Sequence, residues 1–219
     1  NKNIITVEDP VEYKIQGINQ VQVNTKAGLL FSTGLRSILR QDPDIIMVGE
    51  IRDEETAEIA VRAAITGHLV ISTLHTNDAP STIMRLQDMG VKPFLLAASL
   101  RGIVAQRLVK RICTNCKIEH KASDVEKELL EVEGDRIIYK GRGCPKCFYT
   151  GYSGRIAIHE VLKVNKEVRE AIQWGKTVDE LADIAKKGGM RTLKENCKEL
   201  VLAGITTVEE YSTVVFKID

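Results

Sequence analysis

DIIMVGEIRDEETAEIAVRAAITGHLVISTLHTNDAP, residues 44–80, reads as a strand, a helix, a second strand and the start of another helix. DIIMVG is an unbroken apolar run, the pattern of a strand covered on both faces of a parallel sheet. Asp53 then caps EETAEIAVRAAIT, with Glu54 and Glu55 on the favoured side of the helix dipole and Gly67 ending it. LVIST, residues 69–73, reads as a second buried strand, and Asn77 or Asp78 ahead of Pro80 opens a further helix. A helix crossing between two strands makes them parallel and the connection right-handed.

Working outward, NIITVE (3–8) and NQVQVN (19–24) are short extended runs. Ser32 or Thr33 is placed to cap a helix through about Arg40, stopped by Asp42-Pro43 because the residue before proline is pushed out of the helical region. Pro93 opens a longer helix expected to run to about Arg111. Alternating strands and helices give an α/β body, and ligands on such sheets bind at the carboxyl ends of the strands. Glu8 and Asp9, Glu50, and His75 stand at three such ends. Taken singly, Glu50, Asp9 and Asp53 read as solvated turn and cap residues. Taken together, at successive strand ends, they read as a site that holds Mg²⁺ and polarises a water.

The other chemistry-bearing pattern is cysteine. Cys113 and Cys116, then Cys144 and Cys147, form two C-x-x-C knuckles with 27 residues between them. That spacing presents two sulfurs per turn to one ion, and two turns complete the tetrahedron zinc favours. Redox or disulfide pairs are the competing reading, suited to a small secreted scaffold and not to 219 residues of ordinary composition. Four thiolates close the coordination sphere, so the metal is expected to staple a loop and not to activate water. The fifth cysteine, Cys197, lies in a helical pattern and reads as a packed thiol.

The expected segmentation is 1–111 as the α/β core, 112–150 as the tetracysteine insertion, and 151–219 as a returning strand followed by a helical tail. Ser123 with Glu126 marks a capped helix inside the insertion, and GRIAIHEVLKV (154–164) is the returning strand. Thr177 with Glu180, Thr192 with Glu195, and Thr207 with Glu210 are capping boxes of the tail. A net charge of +1 and a pI near 7.8 carry no general nucleic-acid footprint. Arg101, Arg107, Lys110, Arg111, Lys117 and Lys121 nevertheless concentrate positive charge near the first knuckle, so a zinc-ribbon nucleic-acid-binding module is the rival function. Against it, no aromatics are interleaved there and Glu119, Asp124, Glu126 and Glu128 follow closely. No apolar run approaches the ~20 residues of a membrane span, so membrane association is expected to go through a partner.

ITVEDPVEY (5–13), LRSILRQDPDIIMVGEIRDEETA (35–57) and TGHLVISTLHTNDA (66–79) resemble, in order, the Asp box, the Walker B region and the His box of the type II secretion and type IV pilus assembly ATPases. The resemblance continues through the knuckles, GRIAIHEVL and GMRTLKE…GITTVEEY, and so covers nearly the whole chain. It implies a RecA-like P-loop NTPase sheet in a cytoplasmic homo-hexamer, peripheral at the inner face of the membrane and docked on an inner-membrane platform protein. Glu8 then resembles the glutamate that positions or activates water, with Asp9 beside it. Glu50 resembles the Walker B glutamate serving Mg²⁺ and the ATP γ-phosphate, and His75 with His68 resembles the phosphate-sensing histidines. Arg36 and Arg40 fall where they reach phosphate or a neighbouring subunit, or stand as solvated helix arginines.

The family's phosphate-cradling G-x-x-x-x-G-K-[ST] loop is absent from the 219 residues. Gly175-Lys176-Thr177 is no substitute, since position 170 is Glu and the triplet opens a helix. The expectation is therefore a piece of a longer motor that begins after the phosphate loop and is inactive alone. Asn196-Cys197 stands where relatives commonly show Asp-Gly. The knuckles favour the assembly and secretion motors over the retraction motors, which generally lack them.

Overall fold

The computed structural model describes residues 2–218. In chain order the elements are β1 (Ile4–Glu8), β2 (Asn19–Gln22), α1 (Phe31–Ile38), β3 (Ile45–Val48), α2 (Glu54–Ile65), β4 (Leu69–Ser72), α3 (Ala79–Asp88) and α4 (Pro93–Ser99). There follow β5 (Gly102–Ile112), β6 (Lys117–Lys121), α5 (Asp124–Leu130), β7 (Ile137–Gly141), β8 (Tyr152–Lys163), α6 (Lys166–Gln173), α7 (Val178–Lys187), α8 (Leu193–Leu202) and α9 (Val208–Ile218). They form two compact units.

The first unit holds residues through Thr76, Pro80–Ile103 and Lys163–Ile184. Its sheet is all parallel in the order β2-β1-β3-β4, with Val7 opposite Val48 and Val48 opposite Ser72. Val7, Ile46, Val48 and Leu35 are sealed in its core. Asp53 caps α2 as expected, accepting the Thr56 N–H at 2.8 Å. The α1 cap differs from expectation. Leu30 occupies the cap position, while Thr33, one turn in, accepts the Leu30 N–H at 2.8 Å and returns its own hydroxyl to the loop. LVIST also differs: β4 is an edge strand of this sheet, and Leu69 and Ile71 are about half exposed (52% and 51%) instead of buried.

The second unit holds Asn77–Ala79, Val104–Leu162 and the chain from Ala185. The helix expected over 93–111 stops at Ser99, and GIVAQRLVKRI is strand β5, paired with β8. The physical reason is visible in its exposure: Val104, Gln106, Leu108 and Lys110 alternate outward while Ala105 and Val109 are buried, a period of two and not 3.6. β6 and β7 form an antiparallel hairpin that carries α5, whose capping box of Ser123 and Glu126 is present. The boxes at Thr177–Glu180 and Thr192–Glu195 also form. That at Thr207–Glu210 is half made, because the Glu210 carboxylate instead accepts the Lys110 N–H at 2.8 Å.

Candidate nucleotide and metal sites

β1 and β3 end side by side, which sets Glu8 and Glu50 on adjacent strand ends. Gly49 makes the approach possible: its N–H donates to Val7 O at 2.8 Å, and a Cβ there would lie 3.3 Å from Glu8 Cα. Thr73 Oγ1 donates to Gly49 O (2.6 Å) and Ile51 N–H to Thr73 O (3.0 Å), binding the end of β4 to the same corner. Glu8 receives Thr6 Oγ1 (2.5 Å) and Gln20 Nε2 (3.0 Å), both on Oε1, which leaves Oε2 as the oxygen open to a water.

The Glu50 side chain is only 13% exposed. Oε1 is ion-paired with Arg52, and Oε2 is shielded from solvent and accepts no hydrogen bond from the described residues. His75 Nε2 stands 3.4 Å from Oε2 on a side chain that is 93% exposed. The hydrogen bond from Arg52, with the charges of Arg52 and His75 behind it, holds the Glu50 carboxyl below the usual carboxylate range despite burial. Arg52 is held correspondingly above its ordinary value, chiefly by that bond to Glu50 and with a contribution from the charge of Asp9. A shielded carboxylate oxygen that accepts no hydrogen bond and is faced by His75 at 3.4 Å, beside a second carboxylate, fits a hydrated Mg²⁺, which takes one or two carboxylates and keeps its waters.

Not every expected residue joins this corner. His68 lies at the opposite, amino end of β4, where its Nδ1 is 3.0 Å from Ala63 O. Because a carbonyl only accepts, that nitrogen carries the hydrogen. Arg36 pairs with Glu55 at 2.8 Å, and Arg40 is exposed in the turn after α1. Arg52 was not singled out from the sequence, although its signal was present as E-x-R at the end of a buried strand.

The four cysteines meet as the knuckle spacing requires. Cys113 and Cys144 sulfurs are 3.9 Å apart, Cys116 and Cys147 3.8 Å, and Cys144 and Cys147 3.7 Å, with all four within 4.8 Å. A tetrahedral ion with Zn–S of about 2.3 Å has sulfur–sulfur edges of about 3.8 Å, so the donor set matches zinc and is far from a disulfide of about 2.05 Å. The two arms are pressed together where a Cβ on Gly141 would run into the backbone of Gly151. Burial pushes the Cys147 thiol up, but the Cys144 and Gly151 N–H groups and the neighbouring thiols outweigh it and bring it to about 6. Burial, reinforced by the adjacent sulfurs, pushes Cys116 up to about 12. Four touching thiols do not all ionise without a cation. Cys197 is fully buried and pushed to about 12 by burial, a packed thiol as expected.

The basic residues considered for nucleic acid, apart from Arg101, sit on strands, and most are engaged internally. Lys110 pairs with Glu210 (3.2 Å), Lys121 with Asp135 (2.8 Å), Lys117 covers the Tyr139 ring (4.1 Å), and Arg107 donates to Asn77 O (3.0 Å).

Residues 1–213 match the family model described as "Type II/IV secretion system protein". The chain belongs to this family. It is 56% identical over 215 residues to the type IV pilus assembly ATPase PilB of Thermus thermophilus, covering 96% of this chain and 24% of that protein. It is 50% identical over 208 residues to the type II secretion system protein HxcR of Pseudomonas aeruginosa, covering 95% of this chain and 41% of that protein. Among solved structures, the pilus retraction motor PilT with bound ADP superimposes with a TM-score of 0.71 at 31% identity, over 98% of this chain and 52% of that one. The chain thus spans less than half the length of these two curated relatives. For a type II/IV secretion system protein the parallel sheet is the RecA-like one, here with a tetracysteine cluster able to hold a metal. Among the described residues no helix is long and apolar enough to cross a membrane.

Proposed function

We propose that this chain carries the catalytic strand ends of an ATPase motor for type IV pilus assembly or type II secretion. The observation that carries the reading is Glu50, with its shielded Oε2 facing His75 at 3.4 Å and its Oε1 on Arg52, beside Glu8 on the next strand. Glu50 holds magnesium, Glu8 takes a proton from the attacking water at Oε2, and His75 reads the γ-phosphate. Bound magnesium supplies neutralisation of charge on the phosphates. Asp9 and Arg52 set the local charge, and Arg36 and Arg40 face phosphate or a neighbouring copy. One structural zinc on the cysteine tetrad holds the 112–150 segment together.

The phosphate loop lies in sequence outside these 219 residues, and the open edge of β4, with Leu69 and Ile71 exposed, offers a place for a further strand. The working protein is a cytoplasmic homo-hexamer at the inner face of the membrane, docked on a platform protein. A nucleic-acid role is disfavoured by the internally engaged lysines. Magnesium-dependent phosphate release by the full-length protein tests the reading, with the 219-residue chain as comparison. The full-length protein should turn over and the short chain should release phosphate no faster than buffer. A full-length protein without turnover overturns the ATPase reading, and a short chain with clear turnover overturns the assignment of the phosphate loop elsewhere.

A further inference from the structure

β1 and β2 are parallel, yet residues 9–18 join them without a helix. Such a connection is usually a helix, whose own ladder satisfies its backbone. Here residues 12–17 are all exposed, Tyr13 at 81% and Ile15 at 53%, so burial does little to hold the crossover. Its backbone groups are taken up by side chains of β2. Gln22 Oε1 accepts the Val11 N–H at 3.3 Å. Gln20 Oε1 accepts the Ile15 N–H at 2.8 Å, and its Nε2 donates to Tyr13 O at 3.0 Å.

The register sets Thr6 opposite Gln20 and Glu8 opposite Gln22, so the period of two puts all four side chains on one face. In that row Gln20 has a further neighbour, because its Nε2 also donates to Glu8 Oε1 at 3.0 Å. Three bonds thus fix the amide. Tyr13 O only accepts and the Ile15 N–H only donates, which settles the end that carries nitrogen and leaves its second hydrogen for Glu8. Thr6 Oγ1 reaches the same carboxylate oxygen at 2.5 Å, but from Glu8's own strand. The bond from Gln20 is the one that refers the carboxylate to the crossover. All of these residues lie in the first unit.

We infer that Gln20 is a positioning residue for hydrolysis: seated by the crossover 9–18, it aims the Glu8 carboxylate so that Oε2 faces the water. The inference rests on the ATPase reading above. It does not place Gln20 or the crossover in contact with nucleotide.

The test is made in the full-length protein, with kcat and KM measured for magnesium-ATP. Gln20→Ala should lower kcat about fivefold with KM within about twofold. Gln20→Glu keeps the length and an acceptor for the Ile15 N–H, so a residue that only braced the crossover would tolerate it better than alanine. Donation to Glu8 is lost and a second carboxylate stands against it, so a kcat below that of Gln20→Ala is expected. Gly17→Pro approaches the same bond from the crossover, since Gly17 stands at φ 84° and proline is fixed near −65°. It should lower kcat about fivefold and add nothing to Gln20→Ala, because coupled residues are not additive. In a Glu8→Gln background, Gln20→Ala should lower kcat by less than about twofold. Four results overturn the inference: Gln20→Glu as fast as Gln20→Ala or faster, equal fold-losses with and without Glu8, a Gly17→Pro loss that multiplies with that of Gln20→Ala, or a melting-temperature loss with kcat unchanged. Gln20 is partly exposed on the edge strand of the sheet, where substitution is tolerated, so should Gly17→Pro not fold the Gln20 variants decide alone. A wild-type full-length protein without turnover overturns the ATPase reading and this inference with it, a result distinct from any of these orderings.

Discussion

Replacing Cys144 by serine removes one of four sulfurs at tetrahedral spacing, and the structure says both how much this costs and where the loss is felt. Structural zinc sites contribute about 10–16 kcal/mol of apparent binding energy, so one donor in four corresponds to about 3 kcal/mol, or roughly a hundredfold in zinc affinity. The segments that depend on the ion are the knuckles themselves. The Cys116 N–H donates to Cys113 O, Arg142 N–H to Cys116 O, and the Cys147 and Tyr149 N–H groups to Cys144 O. The β6–β7 hairpin has independent support, since Leu130 and Ile138 are fully buried and β7 packs on α8. Hydrogen exchange on Cys144→Ser should therefore show the amides of Cys116, Arg142, Cys147 and Tyr149 losing protection while those of β6, β7, β1 and β3 keep theirs. Elemental analysis of the unmutated chain should give one zinc per chain, and Cys197→Ser should leave that content unchanged. Full zinc content and protection in Cys144→Ser, or an unmutated chain with the knuckle cysteines joined as disulfides and little zinc, would refute the reasoning.

Gly49→Ala places a Cβ 3.3 Å from both Glu8 Cα and Val7 O, so β1 and β3 must part at the site. A loss of about 1–3 kcal/mol in urea denaturation is expected, with slower turnover in the full-length protein. Glu8→Gln should cut turnover roughly a hundredfold with nucleotide affinity nearly unchanged, and Gln20→Ala, which leaves Oε2 in place, much less; phosphate-release kinetics and equilibrium nucleotide binding check both. Because Arg52 holds the Glu50 carboxyl below its ordinary value of 4.5, its stabilisation is present above that value and lost as pH falls through the depressed one. Calorimetric melts should show wild type above Glu50→Gln in melting temperature near neutrality, with the gap closing below about pH 4; a gap that widens there would show that the carboxylate is not held down in the fold.

What the sequence disclosed and what it hid divide along local and distant causes. β3, α2 and the Asp53 cap were legible because an apolar run and an adjacent cap decide them. The cysteine tetrad was legible because two-residue spacing fixes each knuckle by itself. β5 was misread as helix because its alternation is settled by pairing with β8, about fifty residues on. The exposure of Leu69 and Ile71 was hidden for a related reason: an apolar run does not reveal whether its strand is central or at an edge. His68 and His75 share one motif, yet they flank strand β4 (Leu69–Ser72) at its opposite ends, a separation that the strand assignment already allowed.

The central claim is that Glu50 is the magnesium-serving carboxylate of an ATP-hydrolysing corner and not a solvated turn residue. Its most direct test is Glu50→Gln in the full-length protein, with nucleotide binding and phosphate release measured on the same preparation. The account predicts ATP affinity within about twofold of wild type and turnover lower by roughly a hundredfold or more, as for a group acting mainly in the transition state. Turnover near the wild-type rate would contradict it.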